Sequence, residues 1–120
     1  MSVGIVGGSV SPSTALTLNA QTGTTYTFVL TDANNTLVTA SNASAQTYTI
    51  PPNSSVAYPI GAQLNIIQIG AGQVSFPQGS GVTIASNGAT STAPKLRVQY
   101  SSASAIKVNT DSWYVVGDIA

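Results

Sequence analysis

Few residues in this chain could do acid–base or nucleophilic chemistry. Asp32, Asp111 and Asp118 are its only acids, and it has no histidine and no cysteine. A Ser-His-Asp or Cys-His arrangement is therefore impossible, and so are the ordinary zinc sites. Cleaving a glycosidic bond requires two carboxylates a few ångströms apart. Asp111 and Asp118 flank one expected strand, and at about 3.3 Å per residue they stand roughly 20 Å apart. Asp32 and Asp111 fall in expected turns, where a short carboxylate bonds nearby backbone. The chain reads as a non-enzyme, with no catalytic, cofactor-binding or metal-ligating residue.

Other patterns that suggest chemistry have structural readings. Gly70-Ala-Gly72 and Gly79-Ser-Gly81 could suggest phosphate loops, but no Lys-Ser/Thr follows and no helix starts there, so they read as turns. Lys95, Arg97 and Lys107 are expected together on a solvent face of the final hairpin. Without interleaved aromatics they give no reason to assign a nucleic-acid partner. The Asn-x-Ser/Thr triplets at Asn34, Asn42 and Asn53 lack an export signal that would make glycosylation relevant. Among the aromatics, Tyr26, Tyr48, Tyr100 and Trp113 fit core positions. Tyr58 and Tyr114 remain as exposed candidates for stacking on a sugar.

The elements that would carry these residues are strands. The densest apolar stretch, Ile60 to Ile84, reads as strand, glycine turn, strand, loop, strand, the pattern of a meander. Within it Leu64 and Ile66 keep one phase while Ile67 and Ile69 fall on the other, which suggests a central strand covered on both faces. Upstream, residues 24–30 alternate with Tyr26, Phe28 and Leu30 inward; residues 36–40 form another strand, and residues 46–50 place Tyr48 and Ile50 inward. Val56, Tyr58 and Ile60 alternate through Pro59, an edge or loop pattern. Downstream, Leu96, Val98 and Tyr100 are expected inward, then Ile106 and Val108 with Lys107 outward, and then a last strand over 113–116. No window shows uninterrupted helical spacing. The expected fold is all-β, an antiparallel β-sandwich or jelly-roll-like barrel over residues 24–120, preceded by a short irregular arm over residues 1–23 in which Ala15-Leu-Thr-Leu18 is a candidate short strand.

Composition adds a statement about the surface. Only 5% of residues are charged, against about 25% in typical domains, and the net charge is zero. Isolated domains usually keep charge against association and place lysine on free sheet edges. Its lack here points to a surface covered by other subunits. Val3, Ile5, Val6 and Val10 dot the arm with apolar side chains that could pin the domain to a neighbour. No basic, apolar leader is visible at the start, and no run approaches the roughly 20 apolar residues of a membrane span. These features fit synthesis in a cytoplasm without export, and no membrane partner.

Several stretches are familiar in combination: residues 65–76 (Asn-Ile-Ile-Gln-Ile-Gly-Ala-Gly-Gln-Val-Ser-Phe), Gly81-Val-Thr-Ile84, residues 96–108, and Trp113-Tyr-Val-Val-Gly-Asp118. Thr49-Ile-Pro-Pro-Asn53 and Pro59-Ile-Gly61 extend the pattern upstream. In this order they resemble a small β-rich module of tailed-bacteriophage virion proteins, found in tail fibres and other surface appendages. The resemblance spans roughly Tyr26 to Ile119. It implies a non-enzymatic structural protein located on the virion, made in the host cytoplasm and built into a symmetric assembly, expected to be a homotrimer. Because the module fills nearly the whole sequence, a capsid decoration (cement or head-fibre) protein touching the major capsid protein fits better than a tail component. A tail-fibre or receptor-binding subunit recognising host surface glycans is the alternative, followed by an unrelated carbohydrate-binding or adhesive domain.

Overall fold

Alternating apolar and Thr/Ser/Asn positions give nine short strands in the computed structural model, which describes residues 15–120. They are β1 (Thr17–Gln21), β2 (Thr25–Thr27), β3 (Thr36–Ala40), β4 (Gln46–Thr49), β5 (Gln63–Gln68), β6 (Val74–Ser75), β7 (Thr83–Ser86), β8 (Ser102–Asn109) and β9 (Ser112–Gly117). A single 3-10 turn at Leu30–Ala33 separates β2 from β3, and there is no α-helix among the described residues. The all-β expectation holds at this level.

The pairing departs from the antiparallel expectation. A six-stranded sheet has the order β1-β3-β5-β8-β9-β7, and a three-stranded sheet has the order β2-β4-β6. β1, β3 and β5 run parallel, as do β2, β4 and β6, and β7 runs parallel to β9. Only β8 is antiparallel to its neighbours β5 and β9. The sheets are therefore mixed. The chain crosses from one sheet to the other and back, stacking each turn on the last: Thr17 faces Thr36, and Leu37 faces Asn65. In the second sheet Thr25 faces Thr47, and Gln46 faces Val74. Alternation along one strand is the same in parallel and antiparallel ladders, so it does not disclose this winding.

Two further expectations are corrected by the same winding. Residues 17–21 form the edge strand of the six-stranded sheet, so the candidate strand at residues 15–18 starts later, runs further and belongs to the domain rather than to an irregular arm. β5, β6 and β7 do not form a meander, because none of them pairs with another. Gly70-Ala-Gly72 turns the chain between sheets, and it lies directly on the preceding turn: the Gly72 amide donates to the Asn42 carbonyl at 2.9 Å.

Both sheets contribute to one core. Tyr48, Val74 and Phe76 lie on the second sheet or at its ends, and Val38, Leu64, Ile66, Ile84, Trp113 and Val115 on the first. The rings of Tyr26, Phe28 and Tyr48 pack together with centroids 5.5–5.9 Å apart. Leu30, expected inward after them, is exposed because the chain has already left the strand for the 3-10 turn. β5 is central, as expected, but buried on one face only, with Leu64, Ile66 and Gln68 inward and Ile67 half-buried on the other side. The expectation for β8 is reversed. Ala103, Ala105 and Lys107 face the core while Val108 is exposed, because β9 has already filled this space with Trp113 and Val115, opposite Lys107 and Ala105. Leu96 is buried, but Val98 and Tyr100 are exposed, and Tyr100 has a φ of 70°. The expected strand over 96–100 is therefore absent.

Candidate functional site

The three acids lie in three different settings. Asp32 is buried beneath the first stacked turn. It accepts hydrogen bonds from the Tyr26 hydroxyl at 2.6 Å, the Asn19 side-chain amide at 2.9 Å and the Val29 backbone N–H at 3.0 Å. These three donors are what a buried carboxylate without a cation needs. Burial, with the Asp32 carboxylate accepting its proton, pushes the Tyr26 hydroxyl up to about 12. Asp111 accepts the backbone N–H of Asn53 at 2.7 Å. Asp118 pairs with Arg97 at 2.7 Å and accepts the Ser101 hydroxyl at 2.6 Å, and these bonds hold its carboxyl below the usual range. Each acid thus has its own partners, none of which is a second carboxylate.

The cations do not share a face. Lys95 and Arg97 are exposed, whereas Lys107 is 2% exposed. The Lys107 ammonium donates to Asn53 Oδ1 at 2.7 Å and to the Tyr58 carbonyl at 2.8 Å. It fastens the 51–58 loop to β8, a role that strand alternation alone would not assign to a lysine.

Of the two tyrosines expected to stack on a sugar, Tyr58 is buried and is withdrawn from that role. Its ring meets Trp113 edge-on with centroids 5.3 Å apart, and its hydroxyl donates to the Val29 carbonyl at 2.8 Å. Burial raises its pKa. The X-Pro pattern around it marks a loop folded over the core rather than a sheet edge. Tyr114 is 54% exposed, and shallow concavities of about 390 and 300 Å³ flank it. Val3, Ile5, Val6 and Val10 lie outside the described residues.

Sequence reasoning missed the outer face of the six-stranded sheet, the side turned away from the core. Leu18 stands beside Leu37 across β1 and β3, and Tyr114 beside Ile106 across β9 and β8. Ile67 and Val116 extend the same face, and Leu18 is 66% and Val116 50% exposed. No strand of this sheet directs a charged side chain outward, because Lys107, the only ionisable cation within it, points inward. Six strands about 4.8 Å apart, each contributing about five residues at 3.3 Å, give a face of about 400 Å². The face is not apolar throughout, since Gln63, Asn65 and Ser104 bond to one another on it, but the exposed apolar side chains that flank them form patches of the kind that mark sites of interaction. The signal lies in the second phase of each strand, the residues that alternation marks only as not inward.

Comparison of the chain with protein-family models, curated proteins and solved structures gives no match in any of the three.

Proposed function

We propose that this chain is a non-enzymatic structural protein of a tailed-bacteriophage virion, a capsid decoration protein that binds the shell and assembles as a homotrimer. The observation that carries the assembly role is the outer face of the six-stranded sheet, which is uncharged and exposes Leu18, Tyr114 and Val116. The phage setting is supported by the sequence motifs. We read the two sheets as the layers of a sandwich built from stacked parallel turns. Burying an exposed leucine, valine or tyrosine contributes on the order of 1.5–3 kcal/mol, so a few side chains per copy suffice when repeated by symmetry. A contact of standard size needs about 800 Å² per partner. The face supplies about half of that by the spacing estimate above, which leaves room for further contacts by the lead-in residues.

Placing charge on this face tests the proposal. Leu18→Lys combined with Val116→Lys should reduce binding to purified particles at least tenfold while leaving the β-type circular dichroism unchanged. Undiminished particle binding with the fold intact would rule out this face as the contact. A second reading, a receptor-binding subunit for host surface glycans, is favoured by exposed Tyr114 with its flanking concavities. It predicts that Tyr114→Ala weakens binding to host cells, whereas the decoration reading predicts no host-cell binding to lose.

A further inference from the structure

The two ends of the stacked sheets are finished differently. At the β7 end, the outward N–H groups of Ile84 and Ser86 already have partners. The Ile84 N–H is bonded by Gln78 Oε1 at 2.9 Å and the Ser86 N–H by the Ser91 hydroxyl at 3.1 Å. The edge of the second sheet at β6 is covered in the same way. Pro94 to Leu96 lies along it, with Phe76 N–H bonded to the Pro94 carbonyl and Leu96 N–H to the Val74 carbonyl.

At the other end, β1 and β2 are the edges of their two sheets. Thr17 and Gln21 bond toward β3, and Thr24 and Phe28 toward β4. By the alternation of a parallel ladder, Leu18 and Ala20, and likewise Thr25 and Thr27, direct their N–H and C=O groups away from the protein. No described residue bonds them. The edge also lacks the usual guards, since residues 15–31 contain no charge and no proline.

We propose that this open end pairs with the same end of a second copy, strand to strand, about a two-fold axis that sets β1 antiparallel to its counterpart and β2 antiparallel to its own. The far end does not suit head-to-tail stacking, which would have to use the covered β6 edge and a β7 edge whose outward N–H groups are already bonded. An isologous contact is then the self-association available to β1 and β2. The uncharged edge brings no like charges together across the axis. The contact doubles whatever unit the outer sheet face builds, and it does not depend on the phage reading.

The test is the solution mass of the full chain by light scattering across a concentration series. The expected wild-type mass is an even multiple of the 12.1 kDa protomer, a hexamer where the outer face builds the proposed trimer. Ala20→Pro removes one outward N–H and no inward bond, and Thr27→Lys sets a cation on the edge. Each should halve the mass while the β-type circular dichroism is retained. A wild-type monomer or odd multiple would overturn the proposal, as would an unchanged mass in the variants. If Ala20→Pro fails to fold, Thr27→Lys decides, because its side chain is exposed.

Discussion

Replacing Lys107 with alanine is expected to destabilise the fold by about 3–5 kcal/mol, much of the 5–15 kcal/mol that holds a domain together. The ammonium serves two acceptors, the buried Tyr58 carbonyl and the half-buried Asn53 Oδ1. Each acceptor left without a donor loses about 1–3 kcal/mol. Removing the stem also opens a cavity beside Trp113, its cross-strand neighbour. Lys107→Met separates the two effects: it keeps most of the volume and loses only the hydrogen bonds, so its loss should be smaller, about 2–3 kcal/mol. Both variants escape the burial of an ammonium, which works in the opposite direction, so the difference between them reports the volume of the stem. Urea unfolding of the three proteins measures the differences. Equal stability of wild type and both variants would mean that the lysine does not fasten the 51–58 loop.

Gly72→Ala should have an effect of similar size for a different reason. A Cβ at Gly72 would lie within the van der Waals radius of the Ser44 carbonyl, and 2.8 Å from the Asn42 carbonyl. These are backbone atoms of the turn below, so no side chain can move aside. The two turns would have to separate, at about 3 kcal/mol, the upper end of ordinary overpacking. For a domain of this size that is a melting point lower by about 10 °C or more. Gly61→Ala is the control. Gly61 has a φ of 90°, and a methyl group added there would meet nothing within 4 Å. Only the backbone preference is lost, about 1–2 kcal/mol. Calorimetry that ranked the two variants the other way round would contradict close stacking of the turns.

Strand positions were legible wherever a polar phase was filled with threonine and an apolar phase with large side chains, as in Tyr48 with Ile50 and Val74 with Phe76. The partners of each strand were not, because parallel stacking at intervals of about 20 to 30 residues leaves no mark on the alternation itself. Gly70-Ala-Gly72 reads naturally as a hairpin turn. Its glycines answer to the turn beneath them, a contact far away in sequence. β8 shows the limit most clearly. Ile106 and Val108 are its largest apolar residues, yet the core side takes Ala103, Ala105 and Lys107, since volume already occupied by Trp113 and Leu64 decides the register. Tyr58 escapes sequence reading for the same reason, as its burial depends on Trp113 and Val29 rather than on its neighbours in the chain. The low charge was legible from composition. That the whole outer sheet face shares in it required the register of six strands.

The central claim is that this chain decorates a phage shell, and its copy number in purified particles tests it most directly. Quantitative mass spectrometry against the major capsid protein is expected to find it in numbers on the scale of the shell lattice itself. A few copies per particle, the stoichiometry of a tail, or none at all, would contradict the account.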